Sequence, residues 1–317
     1  MQLRRLGRAG FQVSEIGFGA WAIGGSWGST DDATSLAAMH AAVDAGVTFF
    51  DTADVYGDGR SERLVGQLLR ERDEPLVVAT KFGRRVPLDL SLYTYENFRA
   101  WLERSRENLG VETVDLVQLH SLPWETYYTP SVFEACDRLV EEGLVRAYGV
   151  SVEKVEEALK AIEHPGVSTV QIIFNVFRQR PAGLFFEQAR ARNVGVIARV
   201  PLASGLLTGK YKGGIPKDSR AALKGYDWMH DDVTSKDRIA KVRALEPIAK
   251  ELKCSLAQLS LAWILKNPNV STVITGASRV EQVRENLKAA KIASQLTPEV
   301  MKRMDEAFGI EKEEEED

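Results

Sequence analysis

Residues 47–57 read Val47-Thr48-Phe49-Phe50-Asp51-Thr52-Ala53-Asp54-Val55-Tyr56-Gly57. A β-branched and aromatic run ends abruptly at a carboxylate, and a tyrosine follows on a loop rich in Gly and Asp. Such a run is a strand buried on both faces, as in a parallel sheet covered by helices. An acid at its last position must find a partner or sit at the edge of the core. The stretch therefore delivers Asp51 and Tyr56 to one mouth, and the first partner to seek for Asp51 is a cation.

Outward from this strand, short apolar segments alternate with amphipathic helices. Strands are expected at 15–19, 47–51, 76–81, 114–120, 145–150, 169–175, 195–200 and 271–274. Most recur about every 30 residues, the length of a strand, a crossover helix and a return. Helix signals fill the gaps. Thr129-Pro130 reads as a cap and first-turn proline ahead of Phe133, Cys136, Leu139 and Val140, with Gly143 as the stop. Phe98, Trp101, Leu102, Ser105 and Leu109 repeat at helical spacing between Thr94 and Gly110. Eight such units in succession imply an α/β fold, a closed (β/α)8 TIM barrel forming one domain over residues 1–310. Short runs at 3–6 and 11–13, separated by Gly7 and Gly10, imply an N-terminal β-hairpin that caps one end. Helices around 242–252 and 298–308 exceed the barrel's count and are read as accessory. The segment 202–235 is too long to be only a connection and is expected to cover a ligand. Residues 311–317 form an acidic tail, too polar to pack and expected to be disordered.

Composition narrows the function classes. The 317 residues are 44% hydrophobic and 27% charged, ordinary for a soluble globular protein. Net charge is −4 with the signs mixed, so no basic stripe points to nucleic acid and no long apolar run to a membrane. The first residues lack the apolar core of a secretory signal, and Cys136 and Cys254 stand far apart as reduced thiols. A cytoplasmic protein is expected.

In a barrel of this type chemistry gathers where the strands finish. Those ends carry Asp51, Lys81, His120, Ser151, Asn175 and Arg199, with Tyr56 on a loop beside them. A phenol is a weak acid at neutral pH, with an ordinary pKa near 10. An ammonium at about 4 Å is worth roughly 4 kcal/mol at an effective dielectric near 20, enough to lower the phenol by up to about three units before desolvation opposes it. Lys81 can thus make Tyr56 a proton donor, Asp51 keeps Lys81 charged, and His120 offers an imidazole to a substrate oxygen. A proton donor beside an oxyanion-stabilising group is what carbonyl reduction requires. Metal ligation by Asp51 and His120 is disfavoured, because no His-x-His pair exists and the lysine would repel the ion. Gly17-Phe18-Gly19-Ala20-Trp21-Ala22 fits a dinucleotide-binding glycine pattern, yet Gly24, Gly25 and Gly28 follow at once, so no helix begins there and the Rossmann reading fails.

Asp51-Thr52-Ala53 with Tyr56-Gly57, Thr80-Lys81 and Leu119-His120 resemble the aldo-keto reductase family over nearly the full chain. The resemblance implies a catalytic tetrad of Asp51, Tyr56, Lys81 and His120, and a nicotinamide cofactor lying extended across the barrel mouth. It carries Ser151 and Gln171 over to the carboxamide, with Arg199 under the nicotinamide ring where many members have a tyrosine. Within the loop 201–210 it carries Pro201, Leu202, Ser204, Gly205, Leu206 and Lys210 over to the pyrophosphate. Gly276, Ser278, Arg279, Gln282 and Asn286 match the segment gripping the adenosine end. Gly19, Ala20 and Trp21 pass under the cofactor, and Trp21, Tyr56, Phe82, His120 and Trp124 form an aromatic substrate mouth. Ser278 with Glu281 reads as a capping box, which puts Arg279 in the first turn of a helix suited to a ribose 2′-phosphate. NADPH (NADP⁺) is therefore expected in preference to NADH. Val152 stands where the family usually has an asparagine, which removes one carboxamide contact. The reading is NADPH-dependent reduction of an aldehyde or ketone, a small-molecule carbonyl. Its alternative is a non-catalytic, nicotinamide-sensing regulatory subunit of a channel or signalling complex on the same fold.

Overall fold

Eight parallel strands close on themselves in the computed structural model, which describes residues 1–25, 31–216, 219–222 and 233–308. A small antiparallel hairpin, β1 (Leu3–Arg5) and β2 (Gln12–Ser14), precedes them. The barrel strands are β3 (Ile16–Gly19), β4 (Phe49–Asp51), β5 (Val77–Phe82), β6 (Val114–His120), β7 (Val145–Ser151), β8 (Val167–Ile173), β9 (Gly195–Arg199) and β10 (Val270–Gly276). β10 pairs with β3 and closes the ring. All eight lie where the alternating pattern puts them.

The alternation of side chains along a strand explains how the site is positioned. Inward-facing Phe49, Val77, Ala79, Leu116, Ala147, Ile197 and Ile274 form one apolar cluster inside the barrel, joined by Leu6 and Val13 from the hairpin segment. The hairpin thus plugs the end where the strands begin. Further along the strands the inward side chains turn polar, at Asp51, Lys81, Gln118, Ser151, Gln171 and Arg199. Register aligns them: Lys81 lies opposite Gln118, His120 opposite Ser151, and Ser151 opposite Gln171. An apolar floor beneath a polar rim leaves one end for chemistry.

Outside the strands pack α1 (Asp32–Asp44), α2 (Arg60–Glu71), α3 (Tyr95–Leu109), α4 (Pro130–Glu141), α5 (Val155–Ala161) and α6 (Leu184–Ala191). After β9 come α7 (Lys236–Ala244), α8 (Glu246–Glu251) and α9 (Leu256–Leu265), and after β10 come α10 (Val280–Leu287), α11 (Ala289–Ala293) and α12 (Pro298–Phe308). Thr94 caps α3 by accepting from the Asn97 amide, and Gly110 ends it in the left-handed region. Thr129 makes no side-chain cap for α4; its hydroxyl is turned back to donate to the Glu125 carbonyl at 2.9 Å. The helix expected over 242–252 is two helices, since Pro247 lacks the amide hydrogen that would continue the first. A short 3-10 turn, Ala22–Gly24, follows β3 where a Rossmann helix would have to start. The segment after β9 holds 3-10 turns at Ala203–Thr208 and Arg220–Ala222. Residues 217–218 and 223–232 of it, and the acidic tail, lie outside the described residues. Among the described residues no helix is long and apolar enough to cross a membrane.

Candidate active site

The loop after β4 is lashed to β5 by backbone bonds. The Thr52 amide donates to the Ala79 carbonyl at 2.8 Å, and the Asp54 amide to the Lys81 carbonyl at 3.1 Å. Gly57 then turns at φ +61, pressed so closely on Gly24 that a Cβ would lie 1.9 Å from the Gly24 oxygen. Only glycine fits there. This turn holds Tyr56 with Trp21 stacked on it, ring centroids 6.0 Å apart, and His120 edge-on at 5.9 Å.

Beneath the tyrosine lies a buried ion pair. Lys81 Nζ donates to Asp51 at 2.5 Å and to the Thr52 carbonyl at 2.8 Å, and sits 5.1 Å from the Tyr56 ring centroid. The other Asp51 oxygen accepts from Gln118 at 3.1 Å and Gln171 at 2.7 Å, so the carboxylate is fully engaged. Burial pulls the Lys81 ammonium down, but Asp51 and Tyr56 more than offset it, and Lys81 stays above the ordinary lysine value. Burial of the phenol end pushes Tyr56 up and outweighs the opposing pull of Lys81. The lowering expected from the ammonium alone is therefore reversed in the protein by itself, because desolvation of a phenolate at this depth is the larger effect. Burial, then the charges of Lys81, Arg84 and Arg199, hold His120 well below the usual imidazole range, so the ring is neutral at pH 7. Its buried Nδ1 has no hydrogen-bond partner among the described residues.

These groups open into an elongated cavity of about 1530 Å³. At one end it is lined by Gly19, Trp21, Asp51, Tyr56 and His120, and then by Ser151, Gln171 and Arg199. It continues past Pro201, Leu202, Ser204, Gly205 and Lys210 to Gly276, Ser278, Arg279, Gln282 and Asn286. Lys81 lies just below its surface.

Several positions differ from the sequence expectation. Phe82, expected at the mouth, is fully buried between barrel and helices against Phe98 at 4.9 Å and Trp101 at 5.9 Å. Its neighbour Lys81 faces inward, so alternation turns Phe82 outward. Trp124 is 57% exposed on a 3-10 turn, packs edge-on against Tyr128, and borders a separate surface hollow with Tyr127 and Lys154. Ala20 and Leu206 are buried in packing and do not line the cavity. The Ser278 capping box does not form: Ser278 bonds Gln282 through its amide at 2.8 Å, and Arg279 itself is the N-cap of α10, without a side-chain cap. Gln171, matched to the carboxamide, is engaged by Asp51. Arg199 reaches across from β9 to the Val152 carbonyl at 3.0 Å and to Glu153 at 2.6 Å.

Four further residues belong to the neighbourhood. Gln118 was legible, since it precedes His120 by two on the same inward face. Glu153, Arg84 and Asp54 were not, because nothing local in the sequence marks which loop charges turn inward.

The far end of the cavity fits a phosphorylated dinucleotide. Ala203, Ser204 and Gly205 run consecutively through the left-handed region, and a Cβ on Gly205 would lie 2.8 Å from Lys210 Nζ, so the ammonium sits over that turn. Gly276 has open space where a side chain would stand. Arg279 is exposed, and its side chain makes no hydrogen bond or ion pair with the described residues. Backbone turns with cations above them are anion-binding chemistry.

Residues 15–308 match the family model described as "Aldo/keto reductase family". The chain is 37% identical over 96% of its length to a probable voltage-gated potassium channel subunit beta of Oryza sativa subsp. japonica, covering 96% of that protein. A protein of the same description from Arabidopsis thaliana is 36% identical, with 97% of each chain covered. Among solved structures, the holo form of aldo-keto reductase AKR11C1 from Bacillus halodurans superposes with a TM-score of 0.78 at 25% identity, over 99% of each chain. An aldo/keto reductase from Klebsiella pneumoniae, solved in complex with NADP and acetate, gives 0.75 at 23% identity over 99% of this chain and 98% of that one.

Proposed function

The chain belongs to the aldo/keto reductase family, and from that premise we propose that it reduces an aldehyde or ketone to an alcohol with NADPH. The observation that carries this reading is the Asp51–Lys81 pair buried under Tyr56 and His120 at the head of the cavity. A bound NADPH supplies the hydride to the carbonyl carbon. Tyr56 donates the proton to the carbonyl oxygen, and Lys81, kept charged by Asp51, stabilises the phenolate left behind. His120, neutral at pH 7, offers an N–H to the same oxygen without competing as an acid. Ser204, Lys210, Arg279 and Asn286 hold the cofactor's phosphates and adenosine end, and Arg279 carries the preference for a 2′-phosphate. Trp21 forms the substrate wall. The setting is the cytoplasm, with a small-molecule carbonyl as partner and neither nucleic acid nor membrane.

The test is NADPH oxidation against a panel of aromatic, aliphatic and sugar aldehydes, with wild type and Tyr56→Phe side by side. Turnover that collapses in the variant while NADPH still binds supports the proton-donor role, and a variant as fast as wild type removes it. The likeness to two plant proteins described as channel beta subunits favours a second reading, a nicotinamide-sensing subunit. Tight NADPH binding with no turnover of any carbonyl, together with copurification of a membrane partner, would select it.

A further inference from the structure

Two adjacent arginines follow β5, and they have opposite fates. Arg85 is taken up by an ion pair with Asp58 and also reaches the Asp54 carbonyl. Arg84 lines the cavity and makes no hydrogen bond or ion pair with any described residue. Its position in the ring of strands is specific. β4, β5 and β6 are consecutive neighbours, so the loop carrying Arg84 lies between the loop carrying Tyr56 and the strand ending in His120. Both Arg84 and His120 line that cavity, and Arg84 is among the charges that hold His120 below the usual imidazole range.

The cofactor has no need of this cation. Apart from the segment after β3, its proposed contacts come from strands and loops β7 to β10, and its phosphates are provided for by Lys210 and Arg279. Arg178, after β8, also lines the cavity, its side chain without a hydrogen bond or ion pair among the described residues, but it stands on that cofactor side. Arg199 is already held by Glu153. What remains beside the two donors to the carbonyl oxygen is one uncommitted guanidinium, and a guanidinium in a cleft is a recogniser of carboxylate or phosphate.

We propose that the preferred substrate is an anionic carbonyl compound, an aldehyde or ketone bearing a carboxylate or a phosphate monoester, whose charged group is bound by Arg84. This rests on the reductase reading for the position of the carbonyl, and it makes Arg84 the specificity residue of the mouth.

Two matched pairs of substrates test it: benzaldehyde against 4-carboxybenzaldehyde, and glyceraldehyde against glyceraldehyde 3-phosphate. In wild type kcat/KM for the anionic member of at least one pair should exceed that of the neutral member by about tenfold or more, the range of a charge-assisted hydrogen bond. The pair that shows it names the anion. In Arg84→Ala the anionic-to-neutral ratio should fall by a similar factor, and Arg84→Lys should restore part of it. Turnover with equal ratios in wild type and Arg84→Ala overturns the inference and leaves the reductase reading standing. If no aldehyde is reduced, the reductase reading falls, and calorimetric titration of the NADPH complex decides the arginine separately. There 4-carboxybenzyl alcohol and glycerol 3-phosphate are compared with benzyl alcohol and glycerol. Anion-selective binding lost in Arg84→Ala supports the assignment, and binding indifferent to charge overturns it.

Discussion

Gln171 donates to the carboxylate of Asp51 at 2.7 Å from the strand diametrically opposite in the barrel. With Gln118 on the same oxygen, the bond makes Asp51 the point where three strands besides its own are tied beneath the mouth. A buried carboxylate that accepts from an ammonium and two amides is held both in charge and in direction.

Gln118 is therefore expected to act on the reaction without touching substrate. Gln118→Leu removes its hydrogen bond to the charged Asp51, worth about 1.5–3 kcal/mol, together with the weaker one it accepts from Gln171 at 3.3 Å. Denaturant unfolding should show a loss of that order, and kcat should drop severalfold while NADPH affinity holds. Gln171→Leu, whose side chain also lines the cavity, should weaken cofactor binding as well. Equal binding defects in the two variants would mean that the amides do not divide the work in this way.

Asp54 is buried behind the Tyr56 loop with both carboxylate oxygens unpartnered among the described residues. Burial first, then the neighbouring Glu62 carboxylate, push it up to about 7, against the weaker opposite pull of Arg85 and Arg104. The folded protein thus keeps a proton that the unfolded chain, with an ordinary aspartate near 4, releases. Stability from this group is fully present below about pH 4 and is lost as pH rises through about 7. Asp54→Asn should gain in Tm relative to wild type between pH 5 and pH 8. A difference in Tm that does not change with pH would show that Asp54 titrates in the ordinary range.

Arg199 spans from β9 to the segment after β7 and occupies the Val152 carbonyl. On the cofactor placement proposed above its charge would lie beneath an oxidised, positive nicotinamide and repel it, and Glu153 would offset only part of that because its carboxylate is half exposed. Wild type should bind NADPH more tightly than NADP⁺, and Arg199→Tyr should narrow that ratio severalfold. Equal affinities in wild type would remove the argument.

Phe82 and Trp21 separate core from site. Phe82→Ala opens a cavity between barrel and α3 and should cost about 3–5 kcal/mol, with substrate KM unchanged in the protein that remains folded. Trp21→Ala, against the Tyr56 ring, should instead alter KM and the order of preference among aldehydes with a smaller loss of Tm. A changed aldehyde ranking in Phe82→Ala would return that residue to the mouth.

The strand-helix rhythm and the polar strand ends are local properties: hydrophobic period, turn residues and an acid closing an apolar run are written in neighbouring positions. They determined the barrel, the plug at its base and the grouping of Asp51, Tyr56, Lys81 and His120, since parallel strands of one barrel must end on one face. Alternation also marks Gln118, two residues before His120. The tertiary structure alone decided which loop charges line the cavity, as with Arg84 beside Arg85, and which partner each cation takes, as with Arg199 and Glu153. It also decided the net acidity of Tyr56, where burial outweighs the ammonium. Those outcomes depend on distances between segments far apart in the chain and on how much water reaches each group, and neither is encoded in any one stretch of residues.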